Sequence, residues 1–235
     1  MATAETKKRP GQTPPPLENG DRLTRDEFER RYEATPRRNK AELIEGVVHM
    51  PSPVRLRNHG GPQADMIAWL GHYRAFTVAV LVGDNSTVRL DMDNEPQPDA
   101  VMLIEPEFGG QAEISEDDYL EGAPELAGEV SASSASFDLD SKLHVYRRNR
   151  VLEYIVWRVD DRAVDWLVWR KGQFERLMPD ADGILKSEVF PGLWLDPAAL
   201  VRGDLATVLK VLQQGIDSPE HAAFVARLQQ KKSGG

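Results

Sequence analysis

The stretch "PELAGEVSASSASFDLDSKLHVY", Pro124–Tyr146, changes its apolar period part-way along, and that change sets the fold class. Over "LAGEVS" a period of two puts Ala127, Glu129 and Ser131 on one face of a short strand and Leu126, Gly128 and Val130 on the other. From Phe137 the segment "FDLDSKLHVYRRNR" reads as a helix, acidic in its first turn and basic at its end, which suits the helix macrodipole. "VLEYIVWRV", "RAVDWLVWR" and "QFERLMP" follow as three strands, with turns at Asp160-Asp161 and Lys171-Gly172. A helix inserted between strands predicts an α/β (α+β) chain with a mixed central β-sheet flanked by helices. A carboxylate in the middle of a strand is costly to bury unless it is paired, hydrogen-bonded or bound to a metal. Glu129 therefore needs a partner.

Working outward, residues 1–20 are proline-rich with no apolar period and read as a flexible tail. Thr24 and Glu27 form a capping-box pattern that opens a helix ending before Pro36. "AELIEGVVHM" predicts a hairpin turning at Glu45-Gly46. Helical spacing of Met66, Ile67, Trp69, Leu70 and Tyr73 predicts a helix from His59 to about Phe76. Three strands follow within "TVAVLVGDNSTVRLDMDNEPQPDAVMLI", and then an acidic loop. Amphipathic helices are expected over Pro197–Leu212 and Ser218–Leu228, the second capped by Ser218 with Pro219 in its first position. The division is a tail, one domain over 21–212, and a C-terminal helix and tail over 213–235.

The 235 residues are 40% apolar, enough for a substantial core. No apolar run reaches membrane-spanning length and the N-terminus lacks the apolar core of a secretory signal, so a cytoplasmic protein without a membrane partner is expected. With no cysteine, any metal must be held by carboxylates, histidines or carbonyls. A net charge of -9 argues against a protein that simply coats nucleic acid. The charge is uneven. Ile104–Glu125 holds eight acids and no base, whereas Arg30–Lys40 holds five bases and one acid, and either run also suits a solvated surface.

A partner for Glu129 is available in "QPDAVMLI", where Asp99 opens an apolar strand. An aspartate at one strand's mouth and a glutamate on its neighbour present hard oxygens to a divalent cation. Magnesium keeps several waters, so two carboxylates and a substrate phosphate satisfy it. Lys142, early in the next helix, can reach the same place and stabilise charge on a phosphate. Spacing alone also allows an exposed edge glutamate and an ordinary Pro-Asp turn.

Taken in order, "AELIEGVVHMPSP", His59 at a helix start, "QPDAVMLI", "PELAGEVSAS", "DLDSKLHVYRRNRVLEYIVW" and "EVFPGLWLD" resemble the Uma two family of predicted endonucleases, from about Tyr32 to Leu200. The resemblance implies a restriction-endonuclease-like fold and a variant PD-(D/E)XK site. In it Asp99 and Glu129 bind the metal, Ser131 occupies the usual lysine position beside the substrate, and the lysine role passes to Lys142. Glu42 and Glu45 match acidic positions of the family hairpin and are candidate catalytic residues. His59 matches the histidine opening the family's next helix and is a candidate substrate-binding residue, with a capping or packing role as its alternative.

Together with this resemblance, these residues imply a magnesium-dependent endonuclease acting on DNA, with manganese as a second candidate ion. Arg147, Arg148 and Arg150, with Arg37, Arg38 and Lys40, are candidate phosphate contacts. Cutting both strands of a duplex calls for two sites, hence an expected homodimer, and an outward-facing tryptophan among Trp157, Trp166 and Trp169 could line its interface. The competing expectation is a noncatalytic module of the same fold that binds nucleic acid or protein, or a plain Glu129–Lys142 ion pair.

Overall fold

The structure is a computed structural model that describes residues 13–35, 40–51, 53–132 and 135–232. Arg37 and Arg38, two of the expected phosphate contacts, and most of the expected N-terminal tail lie outside the described residues. The central sheet has six strands: β3 (Val80–Asp84), β5 (Ala100–Ile104), β8 (Leu126–Ser131), β9 (Glu153–Arg158), β10 (Ala163–Arg170) and β11 (Gln173–Arg176). Their order is β11-β10-β9-β8-β5-β3, with β8 and β9 parallel and the other pairs antiparallel. The sheet is therefore mixed, and the chain is α+β with helices against the sheet, as the strand–helix–strand pattern predicted.

The parallel pair requires a crossover, which is the helical path after β8. It comprises α3 (Ala135–Phe137), a π-helical turn Asp138–Lys142, and α4 (Leu143–Arg148). Its C-terminus closes without glycine. Val151 N–H donates to the Tyr146 carbonyl and Arg150 N–H to the Arg147 carbonyl, with Arg150 at φ 62° in the position glycine usually takes.

The two faces of β8 separate as its period of two required. Leu126 and Val130 join the larger core with Met66, Trp69, Leu70 and Tyr73 of α2 (Gly61–Ala75) and Val208 and Leu212 of α6 (Leu205–Ile216). Ala127 packs on the opposite face with Tyr146, Tyr154 and Val156. Glu129 belongs to that second, smaller layer, under α4.

The hairpin forms as β1 (Glu42–Ile44) and β2 (Val47–His49), turning at Glu45 (φ 52°) and Gly46 (φ 72°), the paired positive dihedrals of a two-residue turn. Glu95 and Leu43 exchange backbone hydrogen bonds, which fixes the hairpin beside the entry to β5.

Three local expectations differ. Helix α1 (Arg25–Glu33) begins after Thr24, but no capping box forms, because the Glu27 carboxylate takes Arg30 and Arg31 at 2.7 Å instead. The acidic loop contains two short strands, β6 (Glu113–Ile114) and β7 (Leu120–Glu121), which form a small sheet with β4 (Val88–Arg89). The segment after Pro197 is two helices, α5 (Pro197–Val201) and α6. Gly203 (φ 73°) breaks it and Asp204 caps the second helix through Thr207 N–H. Helix α7 (Pro219–Lys232) completes the fold, with Ser218 Oγ accepting from His221 N–H. A second small pair, β12 (Leu185–Lys186) and β13 (Trp194–Leu195), lies between the sheet and α5 in sequence. Among the described residues no helix is long and apolar enough to cross a membrane.

Candidate active site

Four separate elements bring their charged side chains to one buried place. Glu42 comes from β1, Asp99 from the residue before β5, Glu129 from the middle of β8 and Lys142 from the π-helical turn of the crossover. Their relative exposures are 5%, 3%, 4% and 4%, so all four have left water. Lys142 Nζ donates to Glu129 Oε1 at 2.9 Å and to Glu42 Oε1 at 3.0 Å, and lies 3.9 Å from Asp138 Oδ1. Glu42 Oε1 also accepts Gln97 N–H at 2.7 Å, which joins β1 to the Gln97-Pro98-Asp99 approach to β5. Asp99 Oδ2 accepts Val130 N–H at 2.8 Å, so Asp99 is held against the residue that follows Glu129.

Asp99 Oδ1 faces two partly exposed groups, 3.3 Å from His59 Nε2 and 3.7 Å from Lys40 Nζ. His59 sits in a π-helical turn, Leu56–Gly60, that leads into α2. Burial pushes the Asp99 carboxyl up, but His59, the Val130 N–H and Lys40 together outweigh it and hold its pKa below the usual value. The His59 pKa is raised, chiefly by its hydrogen bond to Asp99 against the opposing effect of burial.

Deeper in, the balance is reversed. Burial first, then the charges of Asp138, Asp99 and Glu42, push the Glu129 pKa well above its usual value against the pull of Lys142. Lys142 itself is held charged, because Glu129, Glu42 and Asp138 outweigh the cost of burying it. Four buried carboxylates thus share one buried ammonium and the partly exposed Lys40 and His59, leaving an excess of negative charge in a dry place.

That excess and the all-oxygen donor set fit a hard divalent cation. Among the described residues no three histidine, aspartate or glutamate side chains form a ready-made metal cluster. Asp99 and Glu129 offer two carboxylates, which suits an ion that keeps several waters.

The remaining expected residues lie as follows. Ser131, on the same face of β8 as Glu129, gives its hydroxyl to Asp138 Oδ2. Glu45 is half-exposed at the hairpin tip, 3.5 Å from Arg148, and is not gathered with the other carboxylates. Arg147 reaches the Gly172 carbonyl and Gln173 at the β10–β11 turn, away from Asp99. Of the tryptophans considered for an interface, Trp157 and Trp166 are buried, and Trp169 is partly buried with its indole N–H on the Arg147 carbonyl.

Two neighbours of Glu129 were not singled out from sequence. Tyr146 Oη donates to Glu129 Oε1 at 3.0 Å, and Asp138 approaches Lys142 and Ser131. Both stand four residues from Lys142, on the same side of the helical path, and that spacing was the available signal.

The chain matches the Uma2 family model, described as "Putative restriction endonuclease", over residues 25–198. No curated protein matches it. The crystal structure of "a putative nuclease belonging to DUF820 from Anabaena variabilis ATCC 29413" is similar in fold, with a TM-score of 0.55 and 15% identity, over 76% of this chain and 99% of that one. The family match spans α1 through the start of α5, including every residue of the buried carboxylate–lysine site, and the chain belongs to the Uma2 family.

Proposed function

We propose that the protein is a divalent-cation-dependent endonuclease that hydrolyses phosphodiester bonds in DNA, with magnesium as its working ion and manganese able to replace it. The reading rests on one observation: Glu42, Asp99 and Glu129 converge from three elements on a buried site whose internal cation is Lys142. Asp99 and Glu129 would hold the ion, which supplies Lewis-acid stabilisation of phosphate charge and a water of lowered pKa.

The other steps fall to the chain. Lys142, held charged by its carboxylates, offers its remaining donor capacity to charge developing on the phosphate. Glu42 fixes that ammonium and is itself fixed by Gln97 N–H. His59 and Lys40 stand where a phosphate would enter and orient Asp99 Oδ1. A homodimer, with one site for each strand, would convert nicks into a double-strand break.

A second reading has an observation in its favour. Lys142 pairs with both Glu129 and Glu42, as it would in a purely structural cluster of a noncatalytic module. Incubating supercoiled plasmid with the full chain separates the two. The endonuclease reading predicts nicked and linear products with magnesium, none with a chelator, and a loss of at least 100-fold in Asp99→Asn and Glu129→Gln. Plasmid left intact by the wild type with either ion, or cut equally by both variants, contradicts it.

A further inference from the structure

Hydrogen bonding around Glu129 is one-sided. Lys142 Nζ at 2.9 Å and Tyr146 Oη at 3.0 Å both donate to Oε1, and Oε2 accepts no hydrogen bond among the described residues. The two donors stand four residues apart on one helical path, which the sheet holds in place through the β8–β9 crossover. Tyr146 is fully buried and packs its ring 4.8 Å from Tyr154, so its hydroxyl has little room to move. Tyr154 in turn donates to the Asp138 carbonyl at 3.0 Å, within the π-helical turn that carries Lys142.

We infer that Tyr146 is a positioning residue that sets the metal selectivity of the site, by engaging Glu129 Oε1 and leaving only Oε2 for an incoming cation. The inference rests on the metal-dependent reading above. A carboxylate restricted to one oxygen suits magnesium, which demands a compact octahedral shell at about 2.0–2.1 Å. Calcium takes more oxygens at longer range and accepts both oxygens of one carboxylate. With Lys142 and Tyr146 on Oε1, Glu129 cannot turn to offer both. Lys142 supplies charge to that oxygen, and Tyr146 supplies direction. Tyrosine is suited to the second task because its hydroxyl, fixed on a buried ring, donates to Oε1 at 3.0 Å.

The test is competition of magnesium and of calcium against manganese, read from the electron paramagnetic resonance signal of unbound manganese, on the full chain. The proteins are the wild type, Tyr146→Phe and, as control, Tyr154→Phe, which also removes a buried hydroxyl but none that touches Glu129. Tyr146→Phe is expected to bind magnesium about 10-fold more weakly while calcium binding holds or tightens, so that the magnesium-to-calcium preference falls about 10-fold or more. Tyr154→Phe is expected to keep the wild-type preference. An unchanged preference in Tyr146→Phe, or the same fall in both variants, overturns the selectivity role while leaving the metal site intact. A wild type that binds none of the three ions overturns the metal-dependent reading itself.

Discussion

Glu153 shows how differently this protein treats buried carboxylates. It opens β9 with no exposed surface and takes Ser187 Oγ at 2.8 Å and the N–H groups of Glu188 and Val189 at 2.8 and 3.2 Å. Burial dominates those donors and pushes its pKa up to about 7 from an ordinary 4.5. Between those values the native state holds a proton that the unfolded chain has lost, so this group's contribution to stability falls as pH rises through the window. Glu153→Gln keeps the shape and the acceptor oxygen without the charge. Urea unfolding of both proteins from about pH 5 to pH 8 should show the variant gaining on the wild type by about 1–3 kcal/mol across that range. A stability difference that does not change with pH would show that Glu153 does not titrate there.

The same comparison shows what could be read at the residue scale. "LAGEVS" and "LEYIVW" both place a glutamate in a buried strand, so the pattern alone cannot distinguish Glu129 from Glu153. Backbone N–H groups and a serine from a distant loop satisfy Glu153, and Ile104 and Gln111 N–H satisfy Glu125. Such partners leave no local trace in sequence. Glu129 is answered by side chains of the very next element, and Lys142 was therefore legible. Tyr146 was not, because a buried aromatic on an amphipathic helix reads as core.

At the scale of elements, the β8–helix–β9 crossover was legible from its change of period, whereas α5 and α6 were merged. Their joint apolar pattern continues across Gly203, and only the left-handed backbone there breaks it. Strands β6 and β7 have two residues each, too few for a period to register. Helix α6 is seated by a close approach invisible to pattern. A β-carbon on Gly215 would lie 2.2 Å from the Gly192 carbonyl oxygen and 2.7 Å from the Trp194 ring. Gly192 has φ +90° and its own β-carbon would meet the Gly215 carbonyl at 2.8 Å, so neither backbone can give way to the other. Gly215→Ala should cost about 1–3 kcal/mol in chemical denaturation, with little effect on the carboxylate–lysine site since α6 lies on the opposite side of the sheet from Glu129. A variant as stable as the wild type would show that the loop before β13 yields.

Across the whole molecule, the net charge of -9 coexists with a site that is itself acidic. The formal total therefore says little about phosphate binding, since a cation bound in the site would change the local sign. Separate parts of the chain, β1, the approach to β5, β8 and the crossover, had to fold together before Glu42, Asp99, Glu129 and Lys142 met. Glu45 and Arg147 show the limit of reading along the chain, because one turn residue or one helix face moves a side chain from the site to a different surface.

The most direct measurement is the anomalous-scattering map of a crystal soaked in manganese. The expected result is a peak in coordinating range of Asp99 and of Glu129 Oε2, with Lys142 and Tyr146 still on Oε1. Absence of that peak, or an ion settled instead in the acidic hollow of Glu45, Asp91 and Asp93, would contradict the assignment of the site.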